Sequence, residues 1–167
     1  DEGKRAAESI FMDYYRTRCI KIKIARIFNV YGPKMRSDDG RLISNLVIQA
    51  LKNQPMTIYG DGSQTRSLCY IDDLLDGILK LMDTPDDVTG PVNLGNPDEM
   101  SVLEIAGIIR DITQSKSQIE FRPLPQDDPK RRCPDISLAS SILNWKPNVD
   151  LRTGIAKTVD YYRIELC

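Results

Sequence analysis

The opening segment DEGKRAAESIFMDYYRTR carries apolar residues at helical spacing, namely at Ala7, Ile10, Phe11 and Tyr14. This period predicts an amphipathic helix with one apolar stripe facing the core. The next segment, IKIKIARIF (20–28), alternates isoleucine with lysine at its start, which predicts a strand with one wetted face. Gly-Pro and Asp-Asp-Gly steps in 29–40 then indicate a loop at the carboxyl end of that strand.

Helical spacing returns in 41–53. Two extended segments, 56–59 and 66–71, flank the turn GDGSQ, and we predict that they form a hairpin. Asp72 or Asp73 is expected to cap the helix that follows. The predicted apolar stripe of that helix consists of Leu75, Ile78, Leu79 and Met82.

The rest of the chain continues the same alternation. We predict strands at PVNLG (91–95) and QIEFRPL (118–124), and a charged loop over 126–135. Ser101 and Glu104 have the spacing of a capping box, which predicts a helix start there. A short helix and a helix over 150–166 close the chain. Alternating strands and helices predict the α/β class in one compact body.

Composition narrows the possible functions. The chain has 167 residues and a net charge of −1, so there is no electrostatic reason to expect nucleic acid or an anionic membrane as a partner. Its four cysteines are widely spaced and it has no histidine, which argues against a zinc site or a histidine-based triad. No apolar run is long enough for a membrane span.

Several motifs follow one another in order: DEGKR, ARIFNVYGP, DDGRLISNLV, YGDGSQTRSLCY, PVNLGNP and DDPKRRCPDI. Together they resemble the carboxyl-terminal half of the nucleotide-sugar branch of the extended short-chain dehydrogenases/reductases, the NAD-dependent epimerase/dehydratase family. Within it, the UDP-glucuronate decarboxylases are the most similar branch. The resemblance covers nearly the whole chain. It implies an extended Rossmann-type fold, with 1–30 the last Rossmann helix and strand and 31–167 a substrate-binding domain.

Lys4 is the first candidate for chemistry. Taken alone it is an ordinary solvent-facing lysine, but DEGK matches the end of the family's Tyr-x-x-x-Lys motif. The resemblance implies that this lysine holds the nicotinamide ribose of NAD and lowers the pKa of the tyrosine. The tyrosine would come directly before Asp1, and the glycine-rich turn and the catalytic Ser/Thr and Glu would also lie upstream. We therefore expect the chain to be the second half of an enzyme, inactive alone.

Asn29 follows the predicted strand 20–28 at its carboxyl end, where ligands of open α/β sheets bind. It is either a turn residue or, as the resemblance to the family's RxFNxYGP motif implies, a substrate-binding residue. The same motif places Val30 near the nicotinamide.

Arg41 and Asn45 lie one helical turn apart and form a candidate anion site, or simply a solvated helix face. The resemblance assigns Arg41 to the cofactor. It assigns the UDP moiety to the ISNLV segment: Ile43, Ser44, Asn45, Leu46 and Val47.

Three more residues complete the predicted substrate site. Tyr59 and Arg66 flank the GDGSQT turn. The aromatic ring of Tyr59 can pack against uracil, and the guanidinium of Arg66 can bind the diphosphate. Either could be an ordinary hairpin residue. Arg132 belongs to a basic run that is otherwise a solvated patch. The resemblance places Arg132 near the sugar carboxylate as a catalytic residue of the decarboxylating subgroup, and Cys133 departs from the basic residue common there.

The implied reaction oxidises C4 of UDP-glucuronate with NAD, releases CO2 from the resulting 4-keto sugar and reduces C4 to give UDP-xylose. Two alternatives remain open: a related 4,6-dehydratase or 4-epimerase, and a non-catalytic binding or assembly domain. The resemblance further implies a homodimer. It leaves the compartment open, since relatives are cytosolic or anchored in the Golgi lumen.

Overall fold

The computed structural model describes residues 2–124 and 132–166. Helices and strands alternate along the chain, so the α/β class is confirmed. The helices are α1 (Glu2–Arg18), α2 (Leu42–Leu51), α3 (Ile71–Met82), α4 (Val102–Thr113), α5 (Ser137–Leu143) and α6 (Leu151–Glu165). The strands are β1 (Ala25–Ile27), β2 (Val30–Tyr31), β3 (Met56–Tyr59), β4 (Thr65–Ser67), β5 (Cys69–Tyr70), β6 (Val92–Leu94), β7 (Glu99–Ser101) and β8 (Ile119–Arg122).

The strands pair across long stretches of sequence. β1 pairs with β6, β2 with β5 and β3 with β8, all parallel, while β4 pairs with β7 antiparallel. The predicted hairpin of β3 with β4 is therefore wrong. The turn between them docks on the start of α4 instead, where the carbonyls of Gly62 and Gln64 accept the N–H groups of Leu103 and Val102. Those bonds turn β4 away from β3.

Two apolar clusters hold the body together. In the larger one, α2, α4 and α6 pack around β3 through residues such as Leu46, Ile105 and Val159. In the smaller one, α3 and α5 pack against β6, with Trp145 at the centre. The predicted capping box is confirmed: Ser101 Oγ accepts the N–H of Glu104, and Glu104 Oε2 accepts the N–H of Ser101.

The predicted apolar stripe of α3 is only partly its core side. Ile78 packs against the smaller apolar cluster, whereas Leu75, Leu79 and Met82 are exposed, and the buried positions of the helix include Leu74, Gly77 and Leu81. Gly77 allows α3 to pack closely against Trp145 on its buried side. A Cβ at this position would lie only 2.9 Å from the indole ring. Neither predicted aspartate caps the helix. Asp73 instead accepts the N–H of Val149 and ties α3 to the segment before α6.

The first 30 residues also differ from expectation. No residue of α1 is buried, and the side chains of Ile10 and Phe11 are 55% and 52% exposed, so the apolar stripe does not face a core within the described residues. Only Ala25–Ile27 of the predicted strand 20–28 is regular strand. Ahead of it, Lys23 Nζ donates to the carbonyls of Thr84, Pro85 and Val88 and so fixes the segment to the end of α3.

Across the described residues, the helices fall short of the combined length and apolarity that a membrane crossing requires.

Candidate functional site

A cleft of about 1180 Å³ opens where β1 and β2 end and α2 begins. Strand ends and helix starts of this kind are where α/β proteins bind ligands. The structure brings most of the predicted site residues together in its wall: Lys4, Asn29, Val30, Arg41, Ile43, Asn45, Leu46, Tyr59, Arg66 and Arg132. Residues distant in sequence therefore share one cavity.

Ser44 and Val47 are the predicted site residues that do not line the cleft. Val47 lies in the core, and Ser44 is fully buried with its hydroxyl bonded to Asp39. The reason is helical geometry: residues three apart share a face of α2, and this face packs inward while Arg41 and Asn45 point to the cleft. That Ser44 and Val47 contact UDP stays a prediction, since neither residue lines the cleft.

The cleft is strongly basic, although the chain as a whole carries a net charge of −1. Among its described lining residues are six basic side chains and one acidic side chain, Glu8. The basic ones are Lys4, Arg5, Arg26, Arg41, Arg66 and Arg132. Concentrating positive charge in a concave site attracts anions and raises their local concentration. The arrangement suits a ligand with several negative charges.

Arg26 and Glu8 are cleft residues that sequence reasoning missed. Arg26 Nε and Nη2 donate to the two carboxylate oxygens of Glu8, at 2.7 Å and 2.6 Å. This fork lowers the pKa of Glu8 below its ordinary value. Helical spacing could have identified Glu8 as a site residue, because it lies four residues after Lys4 and therefore on the same face of α1.

Arg41 is held at the amino end of α2 by Asp39. Asp39 Oδ1 accepts the N–H of Arg41 at 3.0 Å and the hydroxyl of Ser44 at 2.5 Å, and Asp39 Oδ2 lies 3.5 Å from Arg41 Nε. Asp39 thereby gives the Arg41 N–H a partner at the helix start, and the Ser44 hydroxyl also lies 3.0 Å from the Arg41 carbonyl. The guanidinium is kept beside a helix amino terminus, whose partial positive charge adds to its own.

Tyr59 and Arg66 lie on opposite sides of the GDGSQ turn, at the end of β3 and within β4. The turn is closed by Gln64, whose side-chain amide donates to the Tyr59 carbonyl at 2.6 Å. Arg66 Nη1 donates to the Thr65 carbonyl at 2.8 Å, which holds its guanidinium close to β4. The two side chains share the cleft even though their strands do not pair with each other.

Arg132 is an exposed residue of the segment 132–136, which leads into α5. Cys133 beside it donates its thiol to the carbonyl of Pro97 at 3.2 Å, which gives this unusual cysteine a local structural contact. Part of the predicted loop 126–135 lies outside the described residues. Within those residues, no cluster of acidic and cysteine side chains has the composition of a metal site.

Residues 1–95 match the NAD dependent epimerase/dehydratase family. Since this match spans more than half of the chain, the protein belongs to that family. Its α/β fold with parallel strand pairs agrees with the Rossmann-type enzymes of the family.

Two relatives carry the same description. The chain is 49% identical to UDP-glucuronic acid decarboxylase 1 of Arabidopsis thaliana, over 98% of this chain and 37% of the relative. It is 45% identical to UDP-glucuronic acid decarboxylase 1 of Danio rerio, over 99% of this chain and 39% of the relative. The chain thus spans well under half the length of these relatives.

Solved structures of two epimerases resemble the protein. UDP-glucuronic acid 4-epimerase from Bacillus cereus, in complex with UDP-glucuronic acid and NAD, matches with a TM-score of 0.87 and 33% identity, over 95% of this chain and 50% of that one. UDP-glucose 4-epimerase from Thermotoga maritima, with UDP-glucose, matches with a TM-score of 0.92 and 25% identity, over 98% of this chain and 53% of that one.

Proposed function

We propose that the chain is the substrate-binding part of a UDP-glucuronate decarboxylase, which converts UDP-glucuronate to UDP-xylose and CO2. The observation that carries the proposal is the basic cleft, with six basic side chains and one acidic one among its described lining residues. UDP-glucuronate has a diphosphate and a carboxylate, and both need cationic partners. The identity of 49% to a UDP-glucuronic acid decarboxylase supports the choice of reaction.

The cleft offers a group for each part of this substrate. Arg66 binds the diphosphate, and Tyr59 packs against the uracil. Asn29, whose amide both donates and accepts, binds at the junction of diphosphate and sugar. Of the ISNLV segment (43–47), the residues that line the cleft, Ile43, Asn45 and Leu46, lie along the UDP moiety.

At the other end of the substrate, Arg132 orients the carboxylate that leaves as CO2. A guanidinium forks two carboxylate oxygens and fixes the direction of the group. Breaking the bond between C5 and this carboxylate leaves an electron pair, which a ketone at C4 accepts. The residues of the chain contribute binding and orientation.

Lys4, Val30 and Arg41 are the residues of this chain that would hold NAD, and all of them line the cleft. Lys4 and Arg41 fit part of the cofactor, because exposed basic groups at the cleft suit a ribose and its phosphates. When bound, NAD supplies the redox chemistry at C4 of the sugar. No glycine-rich phosphate-binding turn occurs in the sequence, so we expect this polypeptide alone to show no turnover and no appreciable NAD affinity.

The complete gene product that contains this chain tests the reaction directly. It is incubated with UDP-glucuronate labelled with ¹³C at C6, and products are followed by mass spectrometry. We expect UDP-xylose and labelled CO2 in equal amounts. Conversion to UDP-galacturonate without CO2 would identify an epimerase, the alternative that the resemblance to the Bacillus cereus enzyme favours.

Calorimetry on the 167-residue chain tests the binding part of the proposal. We expect weak UDP binding and no saturable binding of NAD. Tight binding of NAD would contradict the assignment of residues 1–30 to the end of a cofactor domain and 31–167 to a substrate domain. Light scattering on the complete protein tests the expected homodimer.

A further inference from the structure

Arg66 and Arg132 lie far apart in sequence but line the same cleft. Ser67 follows Arg66 in β4 and connects to the second arginine. Its hydroxyl donates to the backbone carbonyl of Arg132 at 2.9 Å. One short stretch of strand therefore presents one cleft arginine and holds the backbone of the other.

The segment 132–135 has two other side-chain anchors. Asn93 donates its amide to the Asp135 carbonyl at 2.9 Å, and Cys133 donates its thiol to the Pro97 carbonyl. Ser67 differs from both because it is 1% exposed, whereas Asn93 and Cys133 are partly exposed. A hydrogen bond from a buried donor has little competition from water, so it restrains its acceptor more firmly.

Packing also holds the same segment. A Cβ at Gly95 would lie 2.8 Å from Phe28 Cβ and 2.9 Å from Pro134 Cγ, so these two side chains close directly over the glycine. Phe28 is itself a residue of the cleft wall. Near Arg132, Pro134 therefore packs against Gly95 next to Phe28 of the cleft wall, and Ser67 bonds the Arg132 backbone to β4.

We propose that Ser67 is a positioning residue that sets the distance between the carboxylate-binding Arg132 and the diphosphate-binding Arg66. This inference rests on the proposed function, since it takes the two arginines to bind opposite ends of UDP-glucuronate. Ser67 acts through the Arg132 backbone and does not itself touch the ligand. Its loss leaves the UDP site intact and misplaces the group that distinguishes UDP-glucuronate from UDP.

The test compares affinities for UDP and UDP-glucuronate, measured by calorimetry on the complete gene product. Ser67→Ala removes the donor. We expect affinity for UDP-glucuronate to fall about fivefold, the value of one hydrogen bond, with UDP affinity unchanged. A purely structural serine would weaken both ligands equally or neither, and either result would overturn the inference.

Two further variants separate the possible failures. Ser117→Ala is the matched control, because Ser117 is also buried and hydrogen-bonded, but its partner is Ser115 and not a residue of the cleft wall, and it should leave the ratio of the two affinities unchanged. Arg132→Gln should lower UDP-glucuronate affinity about tenfold or more, with UDP unaffected. An unchanged ratio in Arg132→Gln would reject the proposed role of Arg132, and with it the inference. A changed ratio there but not in Ser67→Ala would reject the inference alone.

Discussion

Glu8 and Arg26 form a two-bond ion pair that joins α1 to β1 at the edge of the cleft. Within the described residues, α1 buries none of its side chains in the core. The pair is therefore a main restraint on how α1, and with it Lys4, lies against the rest of the protein.

The first prediction concerns the pH dependence of that pair. Because Arg26 lowers the folded-state pKa of Glu8 below the ordinary value of 4.5, the pair stabilises the fold above that pH. The stabilisation is lost as the pH falls through the lowered pKa. Thermal unfolding of Glu8→Gln should thus show a small loss of stability at neutral pH that vanishes in acid.

Asp13→Asn, on the same helix, is the control for that measurement. Its difference from the native protein should not follow the same pH course. A loss in Glu8→Gln that persisted unchanged below the lowered pKa would show that the ion pair is not the cause. Both unfolding series can be followed by circular dichroism.

The second prediction compares two helical glycines. A Cβ at Gly77 would meet the Trp145 ring at 2.9 Å, while a Cβ at Gly107 would meet nothing within 4 Å. We expect Gly77→Ala to destabilise the protein by about 1–3 kcal/mol through overpacking, despite the better helix propensity of alanine. Gly107→Ala should stabilise it by up to about 1 kcal/mol.

Urea unfolding of the two glycine variants measures both effects. The variants make the same chemical change in the interior of a helix, so propensity cancels in the comparison. Equal effects at the two positions would mean that α3 does not pack against Trp145 in the way described. The indole donates its N–H to the Asp73 carbonyl at 2.9 Å, and tryptophan fluorescence would report a change there.

The third prediction concerns cysteine reactivity. Burial raises the pKa of the Cys69 thiol to about 12, and the side chain is fully buried, whereas Cys19 is exposed. Since the thiolate is the reactive form, Cys69 should resist a thiol reagent at pH 8. In a variant with Cys133→Ser and Cys167→Ser, we expect one fast equivalent of label in the folded state and a second after unfolding.

Adding Cys19→Ser to that variant should abolish the fast phase. Two fast equivalents in the folded protein would contradict the burial of Cys69 in the smaller apolar cluster. Mass spectrometry of the labelled peptides identifies which thiol has reacted.

The fourth prediction concerns the cleft. Removing the charge of Arg66 in Arg66→Gln should weaken UDP binding by about 1.5–3 kcal/mol, the value of a hydrogen bond to a charged group. This is roughly a tenfold to a hundredfold loss of affinity. Arg163→Gln is the matched control, because Arg163 is an arginine outside the cleft wall and pairs with Asp160.

The salt dependence of UDP binding gives a second measurement on the same variants. Added salt should weaken UDP binding to the native protein, since the cleft attracts the diphosphate by charge. Arg66→Gln should show a smaller salt effect than Arg163→Gln. An equal loss of affinity in both variants would mean that general surface charge, and not a specific contact of Arg66, attracts the ligand.

Local patterns predicted the elements whose causes are themselves local. The capping box at Ser101 and Glu104 depends on groups three residues apart, and the strand over 56–59 was located correctly from its own composition. The predicted residues of the cleft came from the resemblance of the motifs to the family. The positions of the Ser44 and Val47 side chains could not be predicted in this way, because which face of α2 packs inward depends on its neighbours.

The sequence by itself determined the α/β class, the positions of most helices and strands and, through the family resemblance, four of the six basic side chains among the described residues of the cleft. Only the tertiary structure decided that β3 pairs with β8 and not with β4, that α3 turns Gly77 to the core, and that Ser67 holds Arg132. These outcomes share one physical reason. Each depends on contacts between segments about 60 or more residues apart, and the free energy of such contacts is not encoded in any single stretch of the chain.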